Sequence, residues 1–225
     1  MPKALRETRL ALLAAAVVVA LALAAALAVA LLGSDGGRPR STGAASTAPT
    51  ESGFDGAALP AGAPAPSFTL SDQSGRSVSL GDYRGRVVVL TFLYSTCGAT
   101  CVVIAQQIRG ALGELEEEHA RAPAVLIVSA DPAADTPARV RRFLAEVSLT
   151  GQVQYLTGSL AQLRPVWRAY RVRPASDGRA VFDEYASVLL VDARGAERVL
   201  FQSEELTPEG LSHDIAKLGG APTHP

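Results

Sequence analysis

Cys97 and Cys101 are the only cysteines in the chain, and they stand four positions apart. A strongly apolar run ends just before them, and a helical pattern begins at them. If Cys101 lies in the first turn of that helix, Cys97 lies one turn behind it on the same face. The two sulfurs could then form a disulfide or hold one soft metal ion together. A purely structural crosslink is the alternative, but a crosslink that closes so short a loop stabilises a fold little. The start of a helix favours thiolates, which favours sulfur chemistry.

Two apolar runs predict the strands that position this pair. Residues 87–94 precede Cys97, and residues 124–130 precede Asp131. Apolar residues recur at helical spacing between the runs, so the pattern predicts a strand, a helix and a second, parallel strand. Open α/β sheets carry their sites at the carboxyl ends of parallel strands. We therefore expect Cys97 and Asp131 on one rim of the sheet, with Asp131 either acting on the sulfurs or only shaping a turn.

The remaining patterns extend this unit to a complete domain. A helix should begin at Thr136, and the capping pair Ser159 and Gln162 predicts another, in which Pro165 indicates a kink or a later start. Alternating runs predict a hairpin over 68–80 and another over 187–201, and Pro208 should begin a last helix to about residue 218. The order predicts an α/β thioredoxin-like sandwich with an N-terminal β-hairpin extension.

The first 66 residues differ in composition from the rest. Residues 10–32 are apolar and uncharged, long enough to cross a bilayer, and Lys3, Arg6 and Arg9 precede them. We predict a cytoplasmic N-terminus at 1–9, a transmembrane anchor at 10–32, and a flexible linker at 33–66. The domain at 67–218 and the tail at 219–225 would follow on the extracytoplasmic side. A cleaved signal peptide is the alternative, although its apolar region is usually shorter.

The charge balance argues against a nucleic-acid partner. The chain carries 21 Lys and Arg against 22 Asp and Glu, and three of the cations precede the predicted anchor. The domain therefore has no excess of basic residues to neutralise phosphates. The predicted partners are the membrane and an extracytoplasmic protein, with no nucleic acid.

Several motifs together resemble the Sco/SenC family. They are the run ending in Ser95-Thr96-Cys97, then Cys101, then Val128-Ser129-Ala130-Asp131-Pro132 with Asp135-Thr136-Pro137, and later Tyr155-Leu156-Thr157-Gly158 with Trp167 and Tyr170. The resemblance covers residues 64–218. It implies a membrane-tethered thioredoxin fold that binds copper through two cysteines and a distal histidine. It also implies a role in assembling the copper site of cytochrome c oxidase, through metal delivery or reduction of the partner's thiols.

The chain departs from the family pattern at the histidine. Counting back from Asp192, the family position holds Glu184, and the chain's only histidines are His119, His213 and His224. A carboxylate is a hard ligand and a poor substitute for imidazole on Cu(I). We expect none of the three histidines to join the cysteines, so Cys97 and Cys101 are the predicted metal ligands with the third ligand unknown.

The sequence thus leaves several functions open. The first is a Sco-like copper assembly factor, and the second is a thiol–disulfide oxidoreductase without a metal, because exchange needs only an attacking and a resolving sulfur. Cys97 is the candidate attacker and Cys101 the candidate resolving residue, with the opposite assignment open. A peroxiredoxin-like peroxidase is disfavoured because Tyr94 replaces the Thr or Ser usual three residues before the reactive cysteine. A binding module with an inert crosslink is the last alternative.

Overall fold

A mixed six-stranded sheet forms the centre of the domain. The computed structural model describes residues 53–177 and 179–220, all of which belong to the unit Pro49–Pro225. The strand order is β1-β8-β7-β4-β5-β6, and β2 and β3 form a separate two-stranded sheet. The strands are β1 (Ala57–Ala58), β2 (Thr69–Ser71), β3 (Ser77–Ser79), β4 (Val88–Leu93), β5 (Ala124–Ser129), β6 (Gln154–Leu156), β7 (Ser187–Val191) and β8 (Glu197–Gln202).

The predicted parallel pair lies at the centre of this sheet. β4 and β5 run parallel, with Val88 opposite Ala124 and Leu93 opposite Ser129. Every residue of both strands is buried. Such continuous burial requires both faces of the sheet to be covered, which explains why these runs are apolar throughout rather than alternating.

Five helices pack on the two faces of the sheet. They are α1 (Ala99–Glu117), α2 (Pro137–Glu146), α3 (Leu160–Ala169), α4 (Arg179–Tyr185) and α5 (Pro208–Gly219). The buried residues of α1, α2 and α5 share one core cluster with one face of the sheet. Those of α3 share the second cluster with the β2–β3 hairpin. This arrangement, a central sheet covered on both faces, confirms the α/β thioredoxin-like prediction.

The predicted helix starts and hairpins are confirmed, and Pro165 lies inside a helix rather than at its start. Thr136 caps α2, with Pro137 in its first turn. Ser159 and Gln162 form the capping box of α3, and that helix continues through Pro165. The capping box at Ser159 accepts hydrogen bonds from backbone N–H groups at the start of α3. The helix can therefore begin there and does not need to begin at the proline.

The N-terminal part of the domain corrects the predicted linker boundary. β1 pairs with β8, Leu59 N donates to Arg198 O, and Pro64 bridges to Ala196. Residues 53–66 are therefore part of the fold rather than a flexible linker, because they cover the edge of β8. In the part of the chain that the structure describes, no helix is both long and apolar enough to cross a membrane. The predicted anchor at residues 10–32 lies outside the described residues.

Candidate functional site

The two cysteines form a disulfide at the start of α1. Their Cα atoms lie 5.9 Å apart, and Cys101 is the third residue of the helix, as the sequence predicts. Gly98 caps the helix with a φ of 87°, a conformation in which a Cβ would be strained. The backbone N–H of Cys101 donates to Cys97 Sγ over 3.2 Å. A helix-start donor therefore points at the Cys97 sulfur, where it would stabilise a thiolate after reduction.

The disulfide is buried, although the residues beside it in the chain are exposed. Cys97 is 2% exposed and Cys101 is 1% exposed. The residues around them in sequence, Thr96, Gly98 and Ala99, are exposed. The two sulfurs thus meet as predicted, and exposed residues flank them in the chain.

A short segment that follows α3 folds over the rim beside the disulfide. Ala175 N donates to Ala130 O at the end of β5. Phe182 in α4 lies in the same buried cluster as both cysteines, and its ring meets the Tyr94 ring edge-on at 5.0 Å. The sequence patterns do not predict α4, because it is only seven residues long.

A buried carboxylate, Asp135, fixes the loop that precedes Cys97. Its Oδ1 accepts from Ser95 N at 2.7 Å. Its Oδ2 accepts from Ser129 Oγ at 2.6 Å and from Tyr155 Oη at 2.7 Å. Burial, together with the adjacent carboxylate, raises the pKa of Tyr155 well above its ordinary value, so this phenol stays protonated and acts as a donor.

Asp131 lies at the rim as predicted but contacts only its own turn. Its Oδ1 accepts from Ala134 N at 3.1 Å, which is the turn-forming alternative that the sequence left open. Asp135, which the sequence analysis noted only as part of a motif, is the carboxylate that reaches the cysteine loop. Asp135 lies just before the helix cap Thr136. An acidic residue at that position normally indicates a helix start, so the sequence contains no sign of its contact with the cysteine loop.

No third metal ligand accompanies the two sulfurs among the described residues. Glu184 lies on the exposed side of α4, and His119 is exposed just beyond the end of α1. Only Asp55, His213 and Asp214 bring three possible ligand atoms together in the described part of the chain, and this group does not include a cysteine. Among the described residues, neither His119 nor His213 forms a three-ligand group with the cysteines, and His224 lies outside the described residues.

Two buried oxygen atoms near the rim have no hydrogen-bond partner. They are Ser95 Oγ and Asp183 Oδ1. Both are hard donors, so neither extends the soft donor set that the two sulfurs would offer to Cu(I). The donor set at this rim is therefore a pair of thiolates once the disulfide is reduced.

Comparison with known proteins identifies a family that matches most of the chain. A family model described as SCO1/SenC matches residues 57–219. The bovine "Protein SCO2 homolog, mitochondrial" is 32% identical over 106 residues, which are 47% of this chain and 39% of that protein. The chain spans 34–55% of the length of the curated SCO proteins that it matches.

Solved structures share the fold at low sequence identity. Arabidopsis thaliana ScoI with copper bound has a TM-score of 0.59 and 21% identity, covering 69% of this chain and 97% of that one. A structure of BsSco, described with a disulfide switch and as a member of the Sco family of cytochrome c oxidase assembly proteins, has a TM-score of 0.58 and 22% identity. The match covers 72% of this chain and 96% of the BsSco chain.

One relative carries a different name. The Mycobacterium tuberculosis protein "Putative peroxiredoxin Rv2521" is 30% identical over 137 residues, which are 61% of this chain and 81% of that protein. Peroxiredoxins share the thioredoxin-like scaffold, so this similarity is compatible with the fold described above. Only the residues around Cys97 can indicate whether the pair suits copper binding and disulfide exchange or peroxide reduction.

Proposed function

Because the chain belongs to the SCO1/SenC family, we propose that its reduced Cys97–Cys101 pair binds Cu(I) and exchanges disulfides during assembly of the cytochrome c oxidase copper site. The observation that carries the proposal is the placement of both sulfurs together at the start of α1. Support also comes from the similarity to ScoI, whose structure contains copper, and to BsSco, named as an oxidase assembly protein.

The residues present fit Cu(I) as a cargo held by two ligands. Thiolates are the soft ligands that Cu(I) prefers, and a pair of them can hold the ion without a third protein ligand. The oxidised pair cannot do so, because its sulfurs are bonded to each other. Copper binding therefore requires the disulfide to take up two electrons and two protons from a dithiol, which becomes a disulfide itself. Metal binding then displaces the remaining thiol protons.

Disulfide exchange with a protein partner uses the same two sulfurs. A partner thiolate would attack one sulfur, form a mixed disulfide and release the other sulfur as a thiolate. A second thiol of the partner then attacks the mixed disulfide, so the partner leaves as a disulfide and this pair as a dithiol. Attack by the partner requires the shielded sulfur to come to the surface. Thr96 and Gly98 flank Cys97 and are exposed, so the loop that carries this sulfur borders on solvent.

The proposal places the domain outside the cytoplasm, held by the apolar segment at residues 10–32. A periplasmic or extracellular position suits a disulfide, which persists in oxidising compartments. The three cations before the apolar segment favour an N-terminus that stays in the cytoplasm. The partner would be a cytochrome c oxidase subunit or another extracytoplasmic thiol protein.

Anaerobic titration of the reduced protein with Cu(I), in the presence of a competing chelator, tests the copper proposal. We expect one Cu(I) per chain, and we expect binding to fall to background in Cys97→Ser. If the wild-type protein binds no more Cu(I) than Cys97→Ser does, the copper role fails and a thiol–disulfide oxidoreductase without metal becomes the better proposal. That second function would require the wild-type pair still to exchange with glutathione.

A peroxidase is the third function to be tested, because one relative bears a peroxiredoxin name. Tyr94 occupies the position three residues before Cys97, where peroxidases of this kind usually carry a Thr or Ser. We expect peroxide to be consumed by the reduced protein no faster than by free cysteine. Turnover dependent on Cys97 and well above that rate would favour the peroxidase instead.

A further inference from the structure

Asp135 is a buried carboxylate that no cation neutralises. The side chain is in a residue only 5% exposed, and none of the ion pairs among the described residues includes it. Its charge is balanced by donors alone: one backbone N–H and two hydroxyls. A buried charge without a cation is costly to retain. The positions of its three hydrogen-bond donors therefore indicate what this carboxylate does in the fold.

The three donors come from three different parts of the sheet rim. Ser129 ends β5, and Tyr155 lies in β6. Ser95 belongs to the loop between β4 and α1, two residues before Cys97. The bond to Ser95 ties this loop to the neighbouring rim segment. Tyr155 Oη also approaches Leu93 O at 3.2 Å, so the end of β4 is held at the same place.

Asp135 is itself held rigidly enough to act as an anchor. Its backbone N–H donates to Asp131 O at 3.0 Å, and Thr136 directly after it caps α2. On the other side of Ser95, Cys97 N donates to Tyr94 O at 3.1 Å. A continuous set of hydrogen bonds therefore runs from the start of α2 through Asp135 and Ser95 to the turn that carries Cys97.

We propose that Asp135 is a positioning residue for Cys97, which holds the loop so that the two sulfurs stay within bonding distance. This inference extends the proposed function, and it rests on that function only in one respect: the Cys97–Cys101 disulfide is taken to be the functional group. The carboxylate acts through the Ser95 backbone and does not touch a sulfur. Releasing the loop lowers the effective concentration of Cys97 at Cys101, so the disulfide becomes easier to reduce.

Equilibration of the full-length chain with dithiothreitol tests this proposal. Dithiothreitol loses two electrons and closes its own disulfide, while the protein disulfide gains two electrons and two protons. Because the chain contains only two cysteines, the reduced fraction reports on this pair alone. We expect Asp135→Ala to shift the exchange equilibrium about tenfold toward the reduced protein, which corresponds to about 30 mV for a two-electron couple.

Two further variants separate positioning from charge and from general destabilisation. Asp135→Asn keeps a carbonyl oxygen for Ser95 N, and its amide can donate to the two hydroxyls, which also accept. We expect Asn to restore the equilibrium to within about twofold of wild type. Asp131→Ala removes a carboxylate from the same turn that does not reach the loop, and we expect it to leave the equilibrium unchanged.

The results that overturn the proposal are specific. A folded Asp135→Ala protein with the wild-type equilibrium excludes positioning, and an Asn variant that shifts as far as Ala shows that charge is responsible instead. If Asp135→Ala does not fold, the double variant Ser129→Ala and Tyr155→Phe replaces it. That variant removes two of the three donors, and we expect a shift in the same direction of at least about threefold. An unchanged equilibrium there also excludes the proposal.

This test and the copper titration can fail independently. The exchange equilibrium contains no metal, so loss of Cu(I) binding in the titration leaves the Asp135 result intact. Conversely, a wild-type protein that binds Cu(I) but shows no effect of Asp135→Ala keeps the proposed function and loses only the positioning role.

Discussion

At the scale of single residues, the two sulfurs and the residue at the family's histidine position differ sharply in placement. Both cysteines are buried together, whereas Glu184 is exposed on α4. No carboxylate or imidazole among the described residues lies close enough to both sulfurs to complete a three-ligand group with them. The geometry and the ligand chemistry agree here, since a carboxylate adds little to a soft Cu(I) site. A two-thiolate site is therefore the arrangement that the residues support.

Substitution of Glu184 tests whether it contributes to copper binding. We expect Glu184→Gln to bind Cu(I) with an affinity within about twofold of wild type, because the side chain is exposed and supplies no ligand. Cys101→Ser, in contrast, should lose binding by at least about 100-fold, since a single thiolate remains. Competition titrations with a Cu(I) chelator measure both. An affinity loss of tenfold or more in Glu184→Gln would show that α4 brings this carboxylate to the metal.

At the scale of secondary structure, the long and well-capped elements and the two hairpins could be predicted, whereas β1, β6 and α4 could not. The burial of β4 and β5 follows from continuous apolar runs, and the starts of α2, α3 and α5 follow from their capping residues. β1, β6 and α4 have two, three and seven residues. Such elements exist because neighbouring strands and the rim accept them, so tertiary contacts rather than local pattern determine them.

The same distinction applies to the site. The cysteine pair is visible in the sequence because a spacing of four residues at the start of a predicted helix brings the two sulfurs together. The link from Asp135 to Ser95 joins positions 40 residues apart, and only the parallel pairing of β4 and β5 brings them together. The sequence therefore predicted that a carboxylate at the end of β5 lies near the cysteine loop at the end of β4. Which carboxylate contacts that loop, Asp131 or Asp135, depends on the conformation of the turn between them.

The hairpin of β2 and β3 contains a second carboxylate with an unusual environment. Burial raises the pKa of Asp72, but hydrogen bonds from Ser74 and Arg76 outweigh it and hold that pKa at about 2. A carboxyl group whose pKa is lowered by folding stabilises the fold above its unfolded pKa. This contribution is lost as the pH falls from near 4 through about 2. Because the turn lies near the surface, we expect on the order of 1 kcal/mol at neutral pH.

Unfolding of Asp72→Asn by urea at several pH values measures this contribution. At pH 7 the variant should be less stable than wild type by on the order of 1 kcal/mol. The difference should shrink between pH 4 and pH 2, because wild-type Asp72 then becomes neutral as well. A difference that stays constant over this range would show that the loss comes from packing or neutral hydrogen bonds and not from the charge.

At the scale of the whole domain, the N-terminal segment decides where the folded unit begins. Residues 53–59 lie along β8 and against α5. The buried carboxylate of Asp214 accepts from Asp55 N at 2.9 Å and from Gly56 N at 3.0 Å. A Cβ added at Gly56 would lie 2.5 Å from Val199 and 2.8 Å from Phe201. The close approach that glycine permits here joins the segment to the core on one side, while β1 pairs with the β8 edge.

Two shortened chains test whether this segment is structural. A chain that begins at Gly53 should fold with the stability of the full domain. A chain that begins at Ser67, the boundary suggested by composition, loses β1 and the two donors to Asp214. The free energy of unfolding should then fall by about 3 kcal/mol, because a buried carboxylate loses its hydrogen bonds and the β8 edge becomes exposed.

Asp214→Ala in the chain that begins at Gly53 separates the two causes of that loss. This variant keeps β1 but leaves the N–H groups of Asp55 and Gly56 without their acceptor, so we expect a loss of about 2 kcal/mol. Urea midpoints measure the stability, and light scattering measures association through the uncovered strand. If the chain from Ser67 unfolds at the same urea concentration as the chain from Gly53 and stays monomeric, residues 53–66 are a linker after all. The edge of β8 would then need no cover, and the Asp214 hydrogen bonds would have no bearing on where the domain begins.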